Sequence, residues 1–390
     1  MKIFISIVVI LVVFSSHYAA IRSETIPFKV HKFLTAYDFS DLDIPSIASR
    51  FDIIDTYLSK ATQVTKIKEL NPLFRAIYYK DALTHREGAT EDWYVHDAQT
   101  GSKLVNKDWG WYLMDIGNQT YRISLANSIK AGLTNNPMFD GVFLDDVWGT
   151  ALLGGFYREG TKETGVVPQL VINAWHENMK TLLNTIKTTI GSKLLIINAS
   201  DVNTDYLALA DGQMDEAFCH ANWQTFGEFF STWQRHLNNM IAGSKSGKIY
   251  LAQSGIVDSS TVSQVRTTSR YCFAMFLLGA NDRSYFYFSN TYRGVTYFPE
   301  WDVDLGNPIE DYHARSGTPL YEREYSKGLV LINPSAGAFQ ISLAEKYKNL
   351  DGVTTDTITL GSHEGEVLLK ILGDITPPSS PKGLKVFPSP

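Results

Sequence analysis

Eight short apolar runs, each closing on polar residues and separated from the next by enough chain for a helix, recur from residue 28 onward and leave few folds open. They are Val30–Tyr37, Phe51–Thr56, Leu73–Tyr79, Asp140–Asp145, Leu194–Asn198, Gln213–Phe218, Lys248–Gln253 and Ser284–Phe288. Strand-length runs alternating with helical patterns point to βα units, because parallel neighbours must be joined by a crossover. Eight units predict an α/β fold, a closed (β/α)8 TIM barrel. No G-x-G-x-x-G follows the first run, so nothing argues for an open dinucleotide-binding sheet. The connecting helices are clearest at Val171–Ile190, Thr225–Ala242 and Ser260–Leu278. In the second, Phe226, Phe229, Phe230, Trp233, Leu237 and Met240 recur at three and four.

After about Thr318 the period changes to two: residues 328–333, 339–343, 356–360 and 366–371 alternate as short strands. The expected organisation is a barrel over 26–316 and a small antiparallel β element over 317–372. Residues 373–390 read as a Pro/Ser linker whose end, Lys382-Gly383-Leu384-Lys385-Val386, resembles the opening of a fibronectin type III domain. At the other end, Met1-Lys2 and the apolar run Ile3–Phe14, with small residues at Ser15, Ser16, Ala19 and Ala20, have the make-up of a secretory signal over residues 1–20. The run is too short to span a bilayer comfortably. Export is the expectation, with a retained N-terminal anchor as the alternative.

Charge excludes one class of partner. With 35 basic against 41 acidic residues and a net charge of -6, the chain has no basic excess to hold a nucleic acid backbone. Cys219 and Cys272 make no disulfide framework and are expected as two buried free thiols. Aromatic residues reach 13%, which serves either core packing or stacking on sugar faces. The sequons at Asn118 and Asn198 carry little weight, since Asn198 falls at a buried strand end.

In a barrel the chemistry sits where the strands end. Those ends read Tyr37-Asp38, Asp55, Tyr79-Lys80-Asp81, Asp145-Asp146, Asn198, Glu216, Gln253-Ser254 and Tyr287. Two long loops over the same rim are rich in aromatics: residues 81–120, with Trp93, Tyr94, Trp109, Trp111 and Tyr112, and residues 147–170, with Trp148, Phe156 and Tyr157. They form either the walls of a cleft for an extended ligand or a lid packed on itself.

Two carboxyl groups across one glycosidic bond, one protonated and one ionised, are what glycoside cleavage requires. Asp145 or Asp146, after the fourth strand, and Glu216, after the sixth, are the candidates. Period-two alternation puts Gly141, Phe143 and Asp145 on one face and Val142, Leu144 and Asp146 on the other, so one acid faces the mouth. Asp145, the first acid after the apolar run, is the expected one, with Asp146 capping the next turn or binding substrate. Glu216 lies in Asp211-Gly212-Gln213-Met214-Asp215-Glu216, which repeats the Asp-Gly-x-x-x-acid order of Asp140–Asp145. An ion pair with an arginine is its structural alternative. Asp38, Tyr79, Asp81, Trp111, Asp146, Trp148, Asn198, Trp223, Gln253 and Tyr287 are the expected substrate contacts. No H-E-x-x-H, zinc-spaced Cys pair or EF-hand loop is present, so neither a metal nor another cofactor is expected, and no G-x-S-x-G elbow supports a serine hydrolase.

The stretches Phe139–Val147, Asp211–Glu216 and Tyr321–Ser335 resemble the glycoside hydrolase-like family fifteen over roughly residues 28–371, and more distantly the endo-α-1,4-polygalactosaminidases and other α-glycosidase barrels. In such barrels the nucleophile ends the fourth strand and the acid/base the sixth. The resemblance therefore implies Asp145 as nucleophile, Glu216 as acid/base and an α-linked polysaccharide or oligosaccharide as substrate. The alternative from another class is a barrel that binds glycan at a cell surface or matrix without cleaving it.

Overall fold

The computed structural model describes residues 28–85, 89–152, 154–199, 204–290 and 294–371. The leader expected at 1–20 and the linker at 373–390 lie outside the described residues. Eight parallel strands close into a barrel: β1 (His31–Thr35), β2 (Ile53–Thr56), β3 (Arg75–Asp81), β4 (Gly141–Asp145), β5 (Leu194–Asn198), β6 (Gly212–Asp215), β7 (Ile249–Gly255) and β8 (Ser284–Ser289). Each pairs with its sequence neighbours, and β8 returns to β1. The eight runs read from the sequence are these eight strands, with ends shifted by a few residues.

The Asp-Gly-x-x-x-acid repeat has a mechanical reason. Asp140 and Asp211 sit just below β4 and β6, where each carboxylate pins the start of a neighbouring strand. Asp140 Oδ2 accepts from the Ala76 N–H at 2.8 Å and from Lys68 Nζ at 2.7 Å. Asp211 Oδ2 accepts from the Leu195 N–H at 2.8 Å and from Lys187 Nζ at 2.7 Å. The glycine that follows permits close approach: a Cβ on Gly141 would lie 2.3 Å from the Leu194 carbonyl oxygen, and one on Gly212 would lie 2.3 Å from that of Ile249. Three residues further the strand has climbed the barrel, and its next side chain is at the mouth.

The helices cover the barrel with apolar faces. The longest are α1 (Gln169–Ile190), which buries Trp175, Met179, Leu182, Leu183 and Ile186, and α2 (Val262–Gly279), buried along nearly its whole C-terminal half. The helix between them begins later than its periodicity predicts, at Trp233 rather than Thr225. Gly227 adopts φ 94°, which a right-handed helix cannot continue through. Phe229 is instead recruited by the C-terminal element, its ring stacked on His363 at 4.4 Å.

That element is one antiparallel sheet of six strands, in the order His313–Ala314, Tyr321–Tyr325, Gly328–Asn333, Glu364–Lys370, Phe339–Asn349 and Thr354–Leu360. It packs against α2 and is latched there by buried Arg323, whose guanidinium donates to the carbonyls of Leu277 at 3.2 Å and Ala280 at 3.0 Å at the helix end. The two aromatic loops are not separate walls. They fold together as a four-stranded antiparallel sheet over the rim, ordered Thr84–His85, Tyr112–Leu113, Leu104–Asn106 and Phe156–Arg158. Cys219 and Cys272 are free and buried.

Candidate active site

The barrel mouth gathers side chains from the ends of β2 to β6. Asp145, the last residue of β4, is half-buried and receives three donors. Tyr79 Oη, from β3, donates to Oδ2 at 2.8 Å, while Asn198 Nδ2, from β5, donates to Oδ1 at 2.8 Å. The backbone N–H of Asp146 adds a third bond to Oδ1, at 2.9 Å. All three are donors, so both Asp145 oxygens are held as acceptors.

Asn198 donates with the same Nδ2 to Glu216 Oε2 at 2.9 Å. One amide nitrogen thus touches both carboxyl groups, which brings these oxygens within about 6 Å of each other. Retaining glycosidases keep their carboxyls about 5–5.5 Å apart and inverting ones about 6.5–9.5 Å.

A third carboxyl lies beneath them. Asp55 on β2 is 1% exposed; Tyr37 Oη donates to its Oδ2 at 2.6 Å, and Oδ1 has no partner among the described residues. Burial drives its pKa well above the usual carboxylate range. The Tyr37 bond opposes that shift, and the charges of Asp145 and Glu216 add to it. Tyr37 stacks on Tyr57 at 4.5 Å and meets Tyr79 edge-on at 5.6 Å, so these tyrosines wall the side of the mouth next to Asp145.

Beside Asp145, Asp146 turns the other way. Its φ of 58° lies in the left-handed region, and its Oδ1 accepts from Trp148 Nε1 at 2.9 Å. Burial, then the charges of Asp145 and Asp81, push its pKa up to about 9. Among the described residues, no group of three or more His, Cys, Asp or Glu side chains is arranged to hold a metal ion.

The sequence matches the family described as "Hypothetical glycosyl hydrolase family 15" over residues 68–329. The chain belongs to that family. No curated protein matches it. Among solved structures it is similar to a GH27 β-L-arabinopyranosidase from Geobacillus stearothermophilus, at 12% identity and TM-score 0.51, covering 92% of this chain and 98% of that one. It is also similar to the noncanonic maltogenic α-amylase AmyB from Thermotoga neapolitana, at 11% identity and TM-score 0.50, over 89% and 99% of the two chains. The glycoside hydrolase domain of PelA from Pseudomonas aeruginosa aligns at 16% identity and TM-score 0.46, over 72% of this chain and 98% of that one. At these identities the first two show the shared fold. Family membership makes this a glycoside hydrolase barrel, and carbohydrate its class of substrate.

The remaining residues named from the sequence fall into three groups around this family's barrel mouth. Tyr79, Asp146 and Asn198 join the hydrogen-bonded cluster, and Asp81 stands opposite Asp145 in the β3–β4 register with its Oδ1 accepting from the Leu83 N–H at 2.8 Å. Trp148, Gln253 and Tyr287 are buried: the Trp148 indole serves Asp146, Gln253 Oε1 accepts from Thr35 Oγ1 at 2.9 Å, and the Tyr287 ring lies 5.6 Å from that of Phe33. Asp38 and Trp223 are exposed, Trp223 to 60%, and Trp111 is half-buried beside the rim hairpin. In the sequence Asp55 and Tyr37 both stand out only as strand ends, with nothing to pair them. A lone acid ending a four-residue apolar strand was the one clue to it.

Proposed function

We propose that the protein is an exported, retaining glycoside hydrolase acting on an α-linked polysaccharide, with Asp145 as nucleophile and Glu216 as general acid/base. The observation that carries this reading is the shared Asn198 amide, which draws one oxygen of each carboxyl toward a single nitrogen, the close spacing that retention calls for. In the first step an Asp145 oxygen bonds to the anomeric carbon while the bond to the leaving oxygen breaks, and that oxygen takes the Glu216 proton. Glu216, now a carboxylate, removes a proton from water. The water oxygen then attacks the anomeric carbon and Asp145 departs with its electron pair. The donors on Asp145 from Tyr79, Asn198 and the Asp146 N–H hold it in place in both steps. The α-linkage rests on the resemblance to α-glycosidase barrels, and export on the leader-like residues 1–20.

The test is a screen of the purified chain against α-glucan, α-galactan and galactosaminan, with the anomer first released followed by proton NMR. Turnover with retained configuration, lost in D145N and E216Q while glycan binding persists, is the expected result. Inverted product overturns the nucleophile assignment. Glycan binding without turnover on any α-linked polymer overturns the enzyme in favour of a binding barrel.

A further inference from the structure

Glu216 is placed by a part of the fold that neither hydrolysis step touches. β6 ends at Asp215, and Glu216 lies in the turn that follows, so the proposed acid/base stands just beyond the strand ladder. The Ala217 N–H donates to Asp215 Oδ1 at 3.3 Å, which closes an Asx-turn with Glu216 at its centre. One residue on, the Phe218 N–H donates to the Gln253 carbonyl at 2.9 Å and ties the chain back to β7.

Asp215 is 1% exposed, and its side chain reaches away from the mouth to the helix Trp233–Lys245. There its other oxygen, Oδ2, accepts from His236 Nδ1 at 2.7 Å and from Tyr250 Oη at 3.1 Å. His236 comes from the first turn of that helix and is buried, as is Tyr250 on β7. The Phe230 ring stacks beside the imidazole at 5.8 Å. One carboxylate thus joins three elements, with one oxygen on the turn that carries Glu216 and the other on the covering helix and on β7.

Stability alone does not call for such a group. Taking a carboxylate out of water is costly, and well-packed apolar side chains of the same volume often serve a core as well or better. What the carboxylate adds is direction. Its two oxygens lie in one rigid plane with the carbon between them, so fixing Oδ2 against His236 and Tyr250 also aims Oδ1 at the turn. A general acid depends on such aim, because a misplacement of about 1 Å can cost about a hundredfold in rate.

We propose that Asp215, held by His236 and Tyr250 behind β6, is the positioning residue that sets the Glu216 carboxyl against Asn198 and the leaving oxygen. It touches no reacting atom. The catalytic consequence rests on the reading of Glu216 as acid/base, whereas the placement of its carboxyl does not.

Crystal structures of the full chain, D215A and Y250F read the placement. Y250F removes one hydroxyl and keeps the ring, so it carries the test where D215A fails to fold. A Glu216 carboxyl drawn away from Asn198 Nδ2, with the Asp145–Asn198 bond kept, is expected, and the larger shift in D215A. Glu216 unmoved in D215A, or in Y250F where D215A does not fold, overturns the proposal whatever the activity of the protein.

The leaving group separates aim of the acid from general damage to the fold. On the polymer that the screen finds cleaved, the leaving oxygen takes the Glu216 proton. On the α-glycosyl fluoride of the same sugar the C–F bond breaks with its electron pair going to fluoride, which departs without a proton. D215A should lower kcat/KM about a hundredfold on the polymer and by less than about threefold on the fluoride. D215N, whose Oδ1 still accepts from the Ala217 N–H, should recover most of the loss. Equal losses on the two substrates, or no loss on the polymer, overturn the positioning role. A parent that cleaves neither substrate sinks the glycosidase reading, and the crystal structures then decide the placement by themselves.

Discussion

Replacing Asn198 with alanine removes a group that touches both carboxyls of the proposed pair. Its Nδ2 donates to Asp145 Oδ1 at 2.8 Å and to Glu216 Oε2 at 2.9 Å, so the substitution deletes two bonds to acid groups at once. Hydrogen bonds to charged groups contribute about 1.5–3 kcal/mol each. Asp145 and Glu216 exchange charge during the reaction, so the transition state depends on about one such bond at full strength. A loss of about 3 kcal/mol, at about 1.4 kcal/mol per tenfold, is roughly a hundredfold in kcat. The fold should barely notice, because Asn198 Oδ1 has no partner among the described residues and its removal strands nothing there. The assay is kcat and KM on the cleaved polymer, with the urea midpoint as a control for folding. N198D sharpens the test: it keeps the volume but puts a carboxylate between two others, so its loss should be larger and its acid limb should move to higher pH. N198A with kcat within threefold of the parent and an unchanged pH profile would refute the argument that the shared amide organises the pair.

Two further outcomes concern the frame that carries the site. G141A should destabilise the protein by about 3 kcal/mol or more in urea titration, because the new Cβ would lie 2.3 Å from the Leu194 carbonyl oxygen and backbone must move to admit it. A stable G141A would show that the β4–β5 approach is slack. Asp52 is the acid-sensitive anchor: burial opposes its ionisation, but the His31 ring 3.6 Å away and bonds from the Lys32 N–H and Lys29 outweigh it and pull its pKa down to about 2. Its stabilisation is therefore complete above the unfolded-state pKa near 4 and is lost as pH falls through about 2. D52N should cost about 2 kcal/mol at pH 7 and flatten the acid limb of the stability curve, and an unchanged limb would refute this assignment.

The barrel was legible because each strand declares itself twice, as an apolar run and as a polar terminus where that run reaches water. Asp145 and Glu216 are read the same way, each being the acid at which a strand ends. Proximity was harder to read. That Asn198 would bridge the pair depends on the register of β5 against both neighbours, and register is a property of the closed sheet rather than of any one strand. The two rim loops showed aromatic content without alternation, since strands of two or three residues are too short to display a period. The helix expected from Thr225 failed at Gly227, where the periodic phenylalanines suit a helix but the backbone at φ 94° does not.

The repeated Asp-Gly-x-x-x-acid unit joins fold to chemistry, because it fixes both ends of a strand at once. Asp140 and Asp211 set the floor by capturing the N–H groups of Ala76 and Leu195, and Gly141 and Gly212 let the neighbouring backbones close in. Counting up the barrel from those anchors brings Asp145 and Glu216 to the mouth on β4 and just past β6, with β5 between them. The registers Leu144↔Ile197 and Met214↔Asn198 then set Asn198 beside the end of β4 and one pleat below Glu216. A one-residue slip on either side would turn Asn198 or its partner to the outer face. The two anchors at the floor therefore specify the carboxyl separation at the mouth, and the geometry of the site is inherited from the strand registers rather than from the loops above it.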